Sequence, residues 1–215
     1  KTLSNSAKQN YCQTTELKLD LTMQFIKYKG QIILFLSDTH GKHRLLEIDE
    51  KADIVIHCGD ICTDGNNDEI SDFFAWYSSL EVPYKIFVNG NHDLPFELEP
   101  ECSKSLIPKN IYWLSNESTT ICGINIKAID SFFHQQNMEE EVDILISHYP
   151  PFGILDRGFG IKEISNYVFK LNPKYHIFGH NHSDYGRVEL NNIQFINASI
   201  YNELCQKESQ LYDTI

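Results

Sequence analysis

Positive charge is scarce in this chain. Its 215 residues carry 18 Lys and Arg against 30 Asp and Glu, a formal net charge of −12. Loose binding to DNA or RNA depends on Lys and Arg neutralising phosphates, so the shortage argues against a sequence-blind nucleic-acid binder and against a nuclease. A phosphate substrate stays open if bound metal ions bring the missing charge. Long apolar runs are absent too. None approaches the roughly 18–20 residues that span a bilayer, and no charged stretch followed by an apolar one opens the chain. The expected setting is the cytoplasm, without a membrane partner. Six cysteines (Cys12, Cys58, Cys62, Cys102, Cys122, Cys205) are scattered with no C-x-x-C pair. They read as free thiols of a reducing compartment rather than a zinc-finger framework. No internal repeat, low-complexity tract or shift in composition marks a second domain. A 41% hydrophobic and 22% charged composition is that of a soluble globular protein.

Residues 1–22 are polar and without period and read as an extension, with Met23 as a natural start and a single domain over 23–215. Met23–Gly30 suggests an edge strand leading into a turn. Ile32–Leu36 is an apolar run ending in Ser37-Asp-Thr-His-Gly41, the pattern of a strand buried on both faces of a mainly parallel sheet. Further strands are expected at Ala52–His57, Val82–Val88, Ile111–Leu114, Val142–Ser147 and Lys174–Phe178. Hairpins are expected around Cys122-Gly123 and Asn191-Asn192. The clearest helix covers Asp68–Leu80, with Ile70, Phe73, Phe74, Tyr77 and Leu80 on one face and an Asn or Asp cap. Helices are expected at Lys42–Asp49, as a short one, and at Gly158–Leu171, with a loop or weak helix at Pro95–Lys104. Glu139–Glu141 reads as a solvated acidic patch, and the tail after Asn202 as peripheral.

Five of these strands end in groups that can hold a metal: Asp38 and His40, Asp60, Asn91 beside His92, His148, and His180 with His182. Ligands of open α/β sheets bind at the carboxyl ends of strands. In an extended segment, Asp38 and His40 would point the same way and reach one ion. Each position also has a bland reading. Asp60 could cap a turn, Asn91 could occupy a left-handed turn, His148 could be a rigid corner before two prolines, and His180 and His182 a surface pair. Taken together the bland readings must coincide at one rim of one sheet, which favours a metal site. The set offers hard oxygens and imidazole nitrogens and no thiolate. It exceeds the roughly four ligands of one tetrahedral ion. It fits two divalent ions, with Mn, Fe, Zn, Co or Ni suited to mixed O/N ligation and Mn the expected ion in vitro. Two ions about 3.5–4 Å apart can generate hydroxide and clamp a phosphoryl group.

The series Asp38-x-His40, Gly59-Asp60, Gly90-Asn-His-Asp93, His148 and Gly179-His-x-His182 resembles the calcineurin-like metallophosphoesterase superfamily from Leu34 to about Asn197. Within it, Ser37-Asp-Thr-His40, Ile56-His-Cys-Gly-Asp60, Ile146-Ser-His-Tyr-Pro-Pro151, Gly179–Gly186 and Asn197-Ala-Ser199 are similar to the small metallophosphoesterase-domain proteins and bacterial relatives. Ser131–Glu141 is shorter than that branch leads one to expect. The resemblance implies a four-layer α/β/β/α sandwich of two mixed sheets flanked by helices. It implies one metal on Asp38, His40, Asp60 and His182 and a second on Asp60, Asn91, His148 and His180, with Asp60 bridging. It further implies a bridging hydroxide as nucleophile, His92 aiding the leaving group, and Asp93 orienting His92 by accepting a hydrogen bond.

The phosphoprotein phosphatase branch carries arginines after its Gly-Asp and before its Gly-Asn-His. Here those stretches read Gly59-Asp-Ile-Cys-Thr-Asp-Gly65 and Phe87-Val-Asn-Gly-Asn-His92, so both planar clamps for a terminal phosphate dianion are missing. A diester needs less clamping. The expected activity is therefore hydrolysis of small diesters such as cyclic nucleotides. A phosphomonoesterase or nucleotide pyrophosphatase on the same site is the alternative, and a non-catalytic scaffold a third reading. Tyr149, Phe152 and Tyr185 lie near ligands in sequence and could stack on a base.

Overall fold

The computed structural model describes residues 23–48, 51–129, 141–202 and 204–206. The acidic patch at 139–140, the extension at 1–22 and most of the short 131–141 segment lie outside them. Two mixed sheets form the centre. The first has the order β1 (Gln24–Tyr28), β2 (Gln31–Leu36), β3 (Ile54–His57), β4 (Tyr84–Phe87), β5 (Ile111–Trp113). β1 is an antiparallel edge on β2, and the β2–β5 ladders are parallel. The second has the order β10 (Gly186–Leu190), β11 (Ile193–Asn197), β9 (Tyr175–Phe178), β8 (Ile144–Ile146), β7 (Ile124–Ala128), β6 (Ser118–Ile121). β11, β9, β8 and β7 run parallel, with β10 and β6 as antiparallel edges.

Three apolar layers hold four structural layers together, as the sandwich resemblance implies. Between the sheets, Ile33, Phe35, Ile54, Ile56, Ile86 and Val88 face Ile124, Ile126, Ile144, Ile146, Ile177 and Ile196. Outside the first sheet, Leu34, Leu36, Val55 and Phe87 pack on the stripe Ile70, Phe73, Phe74, Tyr77 of helix α1 (Asn67–Ser79). Outside the second, Leu145, Phe178 and Phe195 pack on Ile164, Tyr167 and Val168 of a second long helix (Lys162–Leu171). Successive residues of β2 and β3 thus serve opposite layers, which is why these strands read as unbroken apolar runs. Burying each large side chain contributes roughly 1.5–3 kcal/mol. Asn66 caps α1, its side-chain oxygen accepting from Asp68 N (2.8 Å) with acidic residues in the first turn.

The short connections differ from expectation in three places. In place of the Lys42–Asp49 helix, the described residues 42–48 form only a 3-10 turn, His43–Leu45. The Pro95–Lys104 stretch splits at Glu99–Pro100 into helices α2 (Pro95–Leu98) and α3 (Pro100–Lys104), because proline starts a helix but disfavours helical backbone in the residue before it. The second long helix, α4, begins at Lys162 rather than Gly158, since Ile161 is held extended by a bridge to Pro151. The tail is not wholly peripheral either: Leu204 is fully buried in the layer under α1. None of the five cysteines among the described residues forms a disulfide. No helix there is long and apolar enough to cross a membrane.

The β10–β11 hairpin turns on Asn191 and Asn192, with φ of 53° and 63°. Two successive left-handed residues define a type I′ turn, which Asn and Gly tolerate and β-branched residues do not. Thermal denaturation should therefore find Asn192→Ile less stable by about 1–2 kcal/mol and Asn192→Gly no less stable than the parent. A stable Ile variant would show that the turn does not set this register.

Candidate metal centre

All the strand ends singled out in the sequence meet at one rim. Asp38 and His40 follow β2, Asp60 follows β3, Asn91 and His92 follow β4, His148 follows β8, and His180 and His182 follow β9. Potential ligand atoms of Asp38, His40 and His182 lie within 4.8 Å of one another, as do those of Asp60, His148 and His180, and of His40, Asp60 and His92. Asp60 and His40 therefore join the two outer groups. Asn91 completes the second: its Oδ1 is 3.0 Å from His148 Nε2 and 2.9 Å from His180 Nδ1.

Convergence is not achieved by extended alternation, which was the expectation for Asp38 and His40. Both are left-handed, with φ of 58° and 41°, as are Asp60 (58°) and His180 (65°). Left-handed backbone costs a residue with a side chain roughly 1–2 kcal/mol, and such outliers collect at functional sites. The strand therefore ends in a tight turn that folds the ligands back over the sheet edge. Backbone bonds fix it: Asp38 N donates to Gly59 O (2.9 Å), His40 N to Asp60 O (3.1 Å) and Gly41 N to Ile61 O (2.9 Å). The glycines before the ligands are needed for space. A Cβ on Gly90 would collide with Asp60 Oδ1, and one on Gly179 with Ser37 Oγ and Asp38 Oδ2.

Each imidazole is oriented by its other nitrogen. His40 Nδ1 donates to Cys62 O (3.0 Å) and His148 Nδ1 to Cys58 O (2.9 Å), which leaves both Nε2 atoms as lone pairs in the neutral ring. His40 Nε2 is buried with no hydrogen-bond partner, 3.7 Å from Asp60 Oδ2. His148 Nε2 points at two acceptors, Asp60 Oδ2 (3.3 Å) and Asn91 Oδ1. Acceptors facing acceptors in a buried place require a cation between them. A proton can serve: burial alone would lower His148, but the Asp60 carboxylate and then Asp38 outweigh it and raise it to about 10. His148 in turn holds Asp60 well below the usual carboxylate range against the opposing effect of burial. His180 is lowered to about 4 by burial and by the His148 charge, so this second imidazole stays neutral. One proton cannot serve every one of these lone pairs. Hard oxygen and imidazole donors left in this state fit divalent metal ions.

Asp93 does not take the role expected of it. Its carboxylate accepts from the backbone N–H groups of Asp60 (2.9 Å), Gly90 (2.9 Å), Ile61 (2.9 Å) and Cys62 (3.3 Å) and from the Cys62 thiol (3.2 Å). It is spent on tying the Gly59-Asp60 loop to the Gly90-Asn91 loop. Burial first and the Asp60 charge second push its carboxyl up to about 7. The His92 ring is instead held by Nδ1 donating to Thr63 O, and its backbone N donates to Asp60 Oδ1 (2.8 Å). The His92 ring stands edge-on to His40 at 4.8 Å between centroids.

Several contributors carried little or no signal in the sequence. His57 is fully buried; its Nδ1 accepts from Gly59 N (3.2 Å) and its Nε2 donates to Thr39 Oγ1 (3.1 Å), bracing the two loops that carry Asp38, His40 and Asp60. An imidazole inside an apolar strand two residues before Gly-Asp was the available hint. Tyr201 lies against His182 (4.5 Å) and His40 (4.9 Å), while Asn202 Nδ2 donates to His182 O (2.5 Å). Nothing in the tail's composition marked them. Asn197-Ala-Ser199, by contrast, finds its reason: Asn197 Nδ2 donates to Asn181 O (2.8 Å) and fixes the turn between His180 and His182. Of the aromatics named from the sequence, Tyr149 lies 4.4 Å from His180, whereas Tyr185 packs in the layer under α1.

Comparison with known proteins places the chain in a class that fits this geometry. The calcineurin-like phosphoesterase family model matches residues 32–184, and the chain belongs to that family. Among particular relatives, it is 30% identical over 211 residues to human metallophosphoesterase domain-containing protein 1, a match covering 77% of this chain and 64% of that one. It is 27% identical over 212 residues to the UPF0046 protein K07C11.7 of Caenorhabditis elegans, covering 83% and 71%. The chain thus spans about two thirds of the length of these relatives. In fold it is similar to the phosphopantetheinyl hydrolase of Mycobacterium tuberculosis, with a TM-score of 0.60 at 12% identity over 81% of this chain and 91% of that one. It is also similar to TT1561 of Thermus thermophilus, with a TM-score of 0.57 at 14% identity over 78% and 88%. The family uses divalent metals to hydrolyse phosphoesters.

The His57 brace is testable through metal binding alone. His57→Phe keeps the ring among Phe73, Tyr77 and Phe87 but removes both hydrogen bonds. It should lower the apo-protein's Tm by only a few degrees yet weaken Mn2+ binding about 10–100-fold in a calorimetric titration. Unaltered affinity would refute a positioning role.

Proposed function

We propose that this protein is a binuclear metal-dependent phosphodiesterase acting on small diesters such as cyclic nucleotides. The observation that carries the reading is the cluster of ligand groups around Asp60, with His40 Nε2 facing it and otherwise unsatisfied and His148 Nε2 aimed at both Asp60 and Asn91. Asp38, His40, Asp60 and His182 would hold one ion and Asp60, Asn91, His148 and His180 the other. When bound, such ions supply Lewis acidity toward the phosphoryl oxygens and an activated water at neutral pH. The chain's own residues then do the rest. His92, held through Nδ1 by Thr63 O, presents Nε2 to the leaving oxygen and delivers the proton that its departure requires. Asp93 keeps the Asp60 and Asn91 loops in register, and His57 keeps the Asp38 and Asp60 loops together.

Preference for a diester rests on the arginines. The chain has Arg44, Arg157 and Arg187. Arg44 is paired with Asp72 (Nε–Oδ2 3.0 Å), Arg157 with Asp184 (2.8 Å), and Arg187 with Gln24 (3.0 Å) and Phe25 O (3.2 Å). With its guanidinium groups engaged elsewhere, the site offers little to a dianionic terminal phosphate, whose recognition favours planar bidentate donors. A phosphomonoesterase remains the alternative on the same site, separated by comparing turnover of p-nitrophenyl phosphate with that of the bis(p-nitrophenyl) ester.

Two substitutions test the roles. Asp60→Ala should lose both ions, read as metal per chain after gel filtration, and with them the activity. His92→Ala should retain its metal while kcat falls by about 10²–10⁴. A His92→Ala protein that purifies without metal would show that His92 is a ligand rather than an acid.

A further inference from the structure

We propose that Phe159 is a substrate-specificity residue, the platform on which a planar base in the retained part of the diester lies; this rests on the phosphodiesterase reading above and names its substrate more closely. Phe159 is 67% exposed, and its ring stands edge-on to the candidate ligand His180, with centroids 6.5 Å apart at 79°. Tyr149 covers the same imidazole at 4.4 Å. An aromatic wall therefore flanks the His148–His180 half of the site. His92, the leaving-group residue, belongs to the His40–Asp60 group instead.

A lone exposed phenylalanine is ordinary on a protein surface. The loop that carries this one is not. Between Pro150 and Ile161 the backbone is closed by Ile161 N donating to Pro150 O (3.0 Å) and Phe152 N to Ile161 O (3.2 Å). The buried Asp156 carboxylate accepts from Gly153 N (2.8 Å) and Gly160 N (3.2 Å), and Phe159 N donates to Asp156 O (2.8 Å). Leu155 and Arg157 are left-handed at φ 49° and 44°, and a Cβ on Gly160 would come within 2.6 Å of Phe152 Cα. Such a loop holds its shape at a cost. It is also keyed to the ligands: Asn181, between His180 and His182, donates from Nδ2 to Leu155 O (2.9 Å) and to Asp184 Oδ2 (3.0 Å), and Asp184 accepts from Arg157 Nε (2.8 Å). The position of the Phe159 ring is therefore set by the same residues that set His180 and His182. The other exposed ring of the loop, Phe152, is covered by Lys162, whose Nζ lies 5.2 Å from its centroid. Phe159 keeps an open face beside the metal centre. Bases stack on aromatic side chains irrespective of their identity, because every base has a π-face.

The test uses the full chain reconstituted with Mn2+ and two diesters that release the same p-nitrophenolate. Thymidine 5′-(p-nitrophenyl) phosphate retains a base, and methyl p-nitrophenyl phosphate does not. Phe159→Ala should raise KM for the thymidine diester about tenfold, the scale found for one stacked base, with kcat and the methyl diester's kcat/KM both within about twofold of the parent. Phe159→Trp should restore the KM. The Tm of Phe159→Ala should not change, since the ring is exposed. Equal losses on both diesters, or no loss on either as expected of a ring that serves a membrane or protein partner, would overturn the assignment while leaving the phosphodiesterase reading intact. A parent enzyme that hydrolyses neither diester would overturn that reading and this inference with it.

Discussion

Everything at the rim of this fold answers to one electrostatic problem, a carboxylate buried where several lone pairs converge. Asp60 is 1% exposed and faces His148 Nε2 and His40 Nε2, while its second oxygen accepts the His92 amide. A buried anion is tolerable only with a counter-charge and with its remaining oxygens bonded. The surrounding architecture supplies the bonding: the Asp93 cradle, the backbone ladder from the Asp38 turn onto the Asp60 turn, and the His57 brace. What it supplies sparingly is positive charge: the architecture offers the proton on His148, while Arg44, Arg157 and Arg187 are paired elsewhere. The net charge of −12 is thus compatible with phosphate chemistry, because the cations are to be recruited from solution rather than built into the chain.

The chain holds two kinds of structural information, one local and legible along the sequence, the other carried by long-range bonds. Strands buried on both faces are written as continuous apolar runs, and five of them end where the candidate ligands lie, so the sheets, α1 and the rim were readable. The Asn191-Asn192 turn was readable because its chemistry is local. The meeting of the candidate ligands at one rim was readable because residue type and order survive without geometry. What failed depended on long-range bonds. The extended path assumed for Asp38–His40 ignored the pull of Gly59 O, Asp60 O and Ile61 O, which wind that segment into left-handed turns.

Asp93 makes the same point at the level of role. In sequence it adjoins His92, and adjacency suggested a pair. In space its oxygens are consumed by four backbone amides from two loops, and a carbonyl from Thr63 takes over the imidazole. The tail escapes a reading from sequence for a related reason. A polar tail gives no periodic signal, yet Leu204 fills the layer under α1, and Tyr201 and Asn202 rest on His182. Buried hydrogen-bond acceptors and single anchoring side chains leave no pattern in a chain; only the partners reveal them.

The site also has a mechanical side. Asp38, His40, Asp60 and Asn91 hang from one sheet, whereas His148, His180 and His182 hang from the other. The two outer ligand groups each take members from both, so an ion seated in either would rivet the two halves of the sandwich across their seam. Between the two backbones, that seam is crossed near the rim by the Ser37–Ser199 bridge and the bond from Ile200 N to Ser37 O (3.1 Å). Loading with metal should then do more than enable chemistry: it should resist sliding of one sheet over the other, and stripping the ions should free a shear motion that begins at the catalytic edge.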